Sequence, residues 1–212
     1  MFKKDKKRPP LVLASASTQR VLLLQQLGAT ADFLCPAFID ETPKLKEYPR
    51  FLVRRLAQAK VEKALEQLQN LNEYDEALIL AADTVVSVGR TILPKPKDKA
   101  EAEACLRLLS GRGHKVHTAL CLFVPKGRRL HHKVVETRVR FGHLSHEAIQ
   151  AYLATEEWRD KAGGYAIQGK AGAFVLRLVG SYSGVMGLPL YETVELLKPY
   201  YSLFNRWIEE AV

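Results

Sequence analysis

Cysteine is scarce: Cys35, Cys105 and Cys121 lie far apart in the 212-residue chain, and their number is odd. That argues against a disulfide framework, and the absence of any CxxC or CxxH spacing removes the common cysteine-based zinc motifs. The three read as reduced, half-buried thiols, and a catalytic cysteine is not expected. No apolar run approaches the roughly 20 residues that would cross a bilayer. The opening stretch MFKKDKKRPP is basic but lacks the apolar segment of a secretory signal, so a cytoplasmic protein is expected. GxSxG, HExxH, Walker A and GxGxxG patterns are all missing, which removes the enzyme classes read from those motifs. The six histidines make no convincing metal set. His114 and His117 are three apart, and His131 and His132 are adjacent, on expected strands where both spacings face opposite sides. Exposed strand histidines are the expectation.

What is present has the composition of an ordinary globular protein, 47% hydrophobic and 26% charged. The length suits one large domain or two lobes around a shared core. Net charge is +9, and KKDKKR at 3–8 supplies five positive charges and one negative, which leaves +5 for the rest. Residues 1–10 read as a basic, flexible tail ahead of a single domain over 11–212. Weak contact of that tail with RNA or a membrane surface is the alternative to a solvated end. The residual excess suits a pocket for a small polyanion.

Leu11–Ala14 reads as a first strand, and Ser17 caps a helix closed by Gly28. Pro49 suits the first turn of a long helix to about Asn70, whose apolar stripe of Val53, Ala57, Ala64 and Leu68 also carries Lys60. ALILAADTVVSVGRTIL predicts a buried strand, an interruption at Asp83 and a hairpin near Gly89 and Arg90. Asp98 with Glu101 opens a helix to Gly111. Alternation over 114–124 and 133–141 predicts an antiparallel pair with one buried side. Ser145 caps a helix to about Glu156, and short strands follow at 165–168 and 174–179. Helices near 188–198 and 200–210 close the chain. Without regular βαβ alternation, the fold class is mixed α/β.

LASASTQR, residues 13–20, runs from a strand through hydroxyl residues into a helix N-terminus, which makes an anion site from Ser17, Arg20 and unpaired N–H groups. Asp83 ends the most apolar strand, where an ionised carboxylate is costly without a partner. It is placed to hold a metal or activate water, or simply to bond its own turn. Lys60, on an inward helix face, either snorkels or meets an anion. Lys95 between Pro94 and Pro96 is a rigidly held ammonium suited to a phosphate. In EWRDKAGGYAIQGKAGAFV, Gly163 and Gly164 permit tight turns, while Gly169 and Gly172 allow close approach to a ligand. The Gln168 amide offers the donor and acceptor that match a uracil or thymine edge. A plain glycine-rich connection between strands is the alternative.

In order, LVLASASTQRVLLLQQLG, IDETP, RLAQAKVEKA, AADTVVSVGRTILPKP, LRLLSGRGHKVHTAL, EWRDKAGGYAIQG and GSYSGVMGLPLYET cover the chain from Leu11 to about Lys198. Together they resemble the Maf family of nucleoside triphosphate pyrophosphatases. The resemblance implies a fold like that of the inosine triphosphate pyrophosphatases, with two lobes flanking a central mixed sheet and its cleft, often as a homodimer. It implies hydrolysis between the α- and β-phosphates, giving a monophosphate and pyrophosphate, with a divalent metal (Mg²⁺ or Mn²⁺), as part of nucleotide-pool house-cleaning. Asp83 then matches the catalytic acidic position, as general base or metal holder, and Glu41 an acidic position for the metal. Lys60 and Lys95 match the phosphate-contacting lysines, and Arg20 an arginine of the first motif. The family's usual Ser-Pro-Arg-Arg is Ser17-Thr18-Gln19-Arg20 here, so Gln19 costs the site a charge and a bidentate donor. Thr84 and Gln168 look like the branch acting on dTTP and UTP. The branch acting on 7-methyl-GTP has tryptophan at the Gln19 position and glutamate at that of Gln168. A dTTP/UTP pyrophosphatase is therefore expected. The competing readings are a 7-methyl-GTP or broad-range pyrophosphatase, and a weakly catalytic regulator binding nucleotides or nucleic acid.

Overall fold

The computed structural model describes residues 8–69, 74–204 and 207. A seven-stranded mixed sheet runs through it. Strand β1 (Leu11–Leu13) pairs in parallel with β2 (Phe33–Leu34) on one side and with β3 (Leu78–Val88) on the other. Beyond β3 the sheet is antiparallel: β5 (Gly113–Val124), β6 (Arg129–Phe141) and β7 (Val175–Val179) follow in order. The short β4 (Thr91–Leu93) folds back on the end of β3 through the expected turn at Gly89, whose φ of +59° suits glycine.

The two-residue period of the strands divides the core between their faces. Leu11, Leu13, Leu78, Leu80, Leu120 and Leu122 face α1 (Thr18–Gln26) and the late helix Leu190–Leu197. Val12, Ile79, Ala81 and Cys121 face α2 (Pro49–Leu68), which supplies Leu52, Val53, Leu56, Ala57 and Val61. A second lobe gathers Val86, Leu93, Val116, Val139 and Phe141 against α3 (Lys99–Leu109), α4 (His146–Leu153) and the fully buried Trp158. Ser17, Asp98 and Ser145 each accept a backbone N–H of the helix that follows them, so all three expected caps form.

Several local expectations need correction. β3 is continuous through Asp83, because cross-strand bonds to β5 carry it past a residue of low strand preference. β5 lies between β3 and β6 and is buried on both faces from Val116 onward, rather than on one side. His114 and His117 are therefore buried, not exposed, since opposite faces of a covered central strand are both interior. Residues 165–168 form no strand; they sit between the 3-10 turns Ala162–Gly164 and Lys170–Phe174. Gly169 and Gly172 admit protein rather than ligand. A Cβ on Gly169 would overlap the Glu157 carboxylate, and one on Gly172 would come 2.9 Å from the Ile167 carbonyl oxygen. The helix expected over 200–210 lies largely outside the described residues. So do residues 1–7 of the expected tail, while Arg8 pairs with Asp32 at 2.6 Å and the Tyr201 hydroxyl donates to the Pro9 carbonyl.

Candidate active site

The register of β3 makes the site. β1 covers Leu78–Leu80 and β4 covers Val86–Val88, so on that edge Ala81–Val85 have no strand neighbour. Into this notch the α1 N-terminus, the 94–97 loop and the 157–168 segment converge. Asp83 sits at its middle, where the opposite edge is still held by pairing to Ala119.

Parity then assigns the charges. Asp83 shares the odd-numbered face of β3 with Ile79 and Ala81, which is the face α2 covers. On α2, Lys60 follows Leu56 and Ala57 on the inward stripe, and the two meet. Lys60 is 7% exposed, and its ammonium contacts the Asp83 carboxylate directly and donates to Glu41 Oε1 at 2.8 Å. Lys60 does not snorkel; it is an interior cation between two carboxylates. Glu41 Oε2 in turn accepts from Lys95 at 2.6 Å. Burial tends to raise the Glu41 pKa, but the bonds from Lys60 and Lys95 outweigh it and hold the carboxyl down at about 2. Asp83, Lys60, Glu41 and Lys95 thus form one alternating chain of charge.

On the other face of β3, Thr84 shares a 3.0 Å hydrogen bond with Thr118, whose hydroxyl donates to the Gly184 carbonyl. Arg20 reaches across from α1. Its Nε donates to Gly187 O at 2.9 Å, Nη1 to Ser15 Oγ at 3.2 Å and Nη2 to Thr84 Oγ1 at 3.4 Å. Burial lowers the Arg20 pKa, and Asp83 and Glu41 oppose the shift. Gly187 has to be glycine here: its φ is +115°, and a Cβ would press on Arg20 Nε at 3.3 Å.

Two chambers open from this point and share Ser17, Arg20, Lys95, Asp160 and Lys161 in their walls. The larger, of about 730 Å³, is lined by Ser15, Glu41 and Lys60. It lies within the range of ordinary ligand sites. The smaller is lined by Gln19, Asp83, Thr84, Tyr165 and Gln168. All nine residues singled out from the sequence, Ser17, Gln19, Arg20, Glu41, Lys60, Asp83, Thr84, Lys95 and Gln168, border this cleft. Sequence reasoning missed Ser15, Asp160, Lys161 and Tyr165 as lining residues. Only Ser15 had a signal, its place beside the α1 cap; the others lay inside a quoted motif without a pattern of their own.

The family model described as "Maf-like protein" matches residues 10–200. Among curated relatives, a protein of Chelativorans sp. (strain BNC1) is 61% identical over 187 residues, 88% of this chain and 89% of its own length. One of Brucella abortus (strain 2308) is 57% identical over 93% of this chain and 95% of its own. One of Rhodopseudomonas palustris (strain BisB5) is 56% identical over 90% and 91%. Each of the three is named dTTP/UTP pyrophosphatase. A match over residues 10–200 of the 212 settles the family: this chain belongs to the Maf-like proteins.

Proposed function

We propose that this protein hydrolyses dTTP and UTP to the monophosphate and pyrophosphate, with Asp83 as the general base. The observation that carries the reading is the chain Asp83–Lys60–Glu41–Lys95 in the β3 notch, a carboxylate held beside two lysines at a cleft wall. The names of the relatives support the same reaction and the same bases. Lys60 orients Asp83, so that a carboxylate oxygen accepts a proton from the attacking water. The water oxygen bonds to the α-phosphorus, the bond to the α–β bridging oxygen breaks, and pyrophosphate leaves with the electron pair. Lys95, Arg20 and the first N–H groups of α1 spread the negative charge of the triphosphate. The base lies toward Gln168, whose amide both gives and accepts, beside the ring of Tyr165.

A divalent cation fits these residues. Glu41 and Asp83 converge on one ammonium and so offer two hard oxygen donors in one place. Glu41 and Asp83 are the residues that would hold a Mg²⁺ or Mn²⁺, since carboxylate oxygens are the donors such hard cations take. When bound, such an ion would neutralise phosphate charge. The test is pyrophosphate release with Mg²⁺ or Mn²⁺ across dTTP, UTP, CTP, GTP, ATP and 7-methyl-GTP. Turnover of dTTP and UTP well above the rest is expected. Preference for 7-methyl-GTP, or no hydrolysis, would overturn the reading and make Gln19 the decisive change.

A further inference from the structure

We propose that Lys161 is a substrate-binding residue that holds the α-phosphate of the nucleotide. The inference rests on the pyrophosphatase reading above and adds one contact to it. The other cations of the cleft are already engaged: Lys60 by Asp83 and Glu41, Lys95 by Glu41, and Arg20 by Ser15, Thr84 and the Gly187 carbonyl. The Lys161 ammonium has no hydrogen bond or ion pair among the described residues. A cation on a cleft wall with no counter-ion leaves its field for whatever enters.

Its position says which phosphate. Lys161 borders both chambers. With the base at Gln168 and the β- and γ-phosphates toward Lys60 and Ser15, the α-phosphate is the group common to both halves, and it must lie where the chambers meet. Of the other residues at that junction, Ser17 accepts the Arg20 N–H and has only a neutral O–H to offer a phosphate, and Asp160 has the wrong sign. The side chain also starts from a fixed point. Lys161 N donates to the Trp158 carbonyl, and Gly164 N to that of Lys161. Gly163 N ties the turn to the Pro94 carbonyl, next to Lys95, and Trp158 is fully buried. Asp160 takes a φ of +58°, which turns the chain sharply just before Lys161.

The experiment compares wild type, Lys161→Met and Lys161→Arg for inhibition of dTTP hydrolysis by dTMP and, separately, by pyrophosphate. dTMP carries the α-phosphate and pyrophosphate does not. Lys161→Met is expected to weaken dTMP inhibition about 10- to 100-fold, with pyrophosphate inhibition within about twofold of wild type. Lys161→Arg should recover much of the loss. Melting temperatures should stay together, because the side chain is partly solvent-facing and holds no partner. Unchanged dTMP inhibition in Lys161→Met, or an equal loss for pyrophosphate, would overturn the assignment. Wild-type protein that hydrolyses neither dTTP nor UTP would instead overturn the reading beneath it.

Discussion

At the scale of single residues, Lys60 and Lys95 share Glu41 but differ in what their loss should do. Lys60 lies beside Asp83, whose side chain is 4% exposed, whereas the Lys95 side chain is 46% exposed. Lys60→Ala leaves Asp83 as a buried carboxylate without its cation, a change of about 3–5 kcal/mol. Lys95→Ala should cost no more than about 1 kcal/mol. Both should slow hydrolysis; chemical denaturation separates them. Gln168→Glu exchanges a group that gives and accepts for one that only accepts, and leaves a base carbonyl without its donor. We expect kcat/KM for dTTP and UTP to fall by about 10- to 100-fold, read against the same variant with 7-methyl-GTP. The helix period made Lys60 legible as an inward lysine, but its partner was not, since Asp83 comes from another element. Lys161 carried no signal at all: a charged residue in a polar, glycine-rich stretch looks the same whether it faces solvent or a cleft.

At the scale of elements, the decisive feature is the stretch of β3 with one free edge. The helix caps, the Gly89 hairpin and the strand pair 114–124 with 133–141 were readable because they depend on local chemistry and periodicity. The continuity of β3 past Asp83 was not, because it depends on β5 pairing along its whole length. The same central position explains His114. Its Nε2 shares a 2.8 Å hydrogen bond with the Tyr165 hydroxyl, its ring packs edge-on against Phe141, and burial pushes its pKa down to about 4. Since the unfolded chain takes up this proton near pH 6.5, His114 makes stability fall as pH drops from about 6.5 to 4, by at most about 3 kcal/mol. His117 and His132 are shifted in the same direction by burial. His114→Gln should therefore flatten part of the decline in melting temperature over that window. An unchanged slope would remove His114 from the account.

At the scale of the whole molecule, two lobes share one sheet, and the cleft is the place where β1 has ended and β4 has not begun. Among the described residues no helix is long and apolar enough to cross a membrane. The mixed α/β class was legible from composition and element order, but the cleft was not, because it is a property of strand register. The cleft gathers Arg20, Lys60, Lys95 and Lys161 with three carboxylates, Glu41, Asp83 and Asp160, an arrangement suited to a polyphosphate. The most direct measurement is single-turnover conversion of dTTP to dTMP by wild type and Asp83→Asn, with dTTP affinity measured calorimetrically for both. The account predicts affinity within about tenfold of wild type and a chemical step slower by about 10²- to 10⁴-fold. A variant that turns over dTTP at close to the wild-type rate would contradict it.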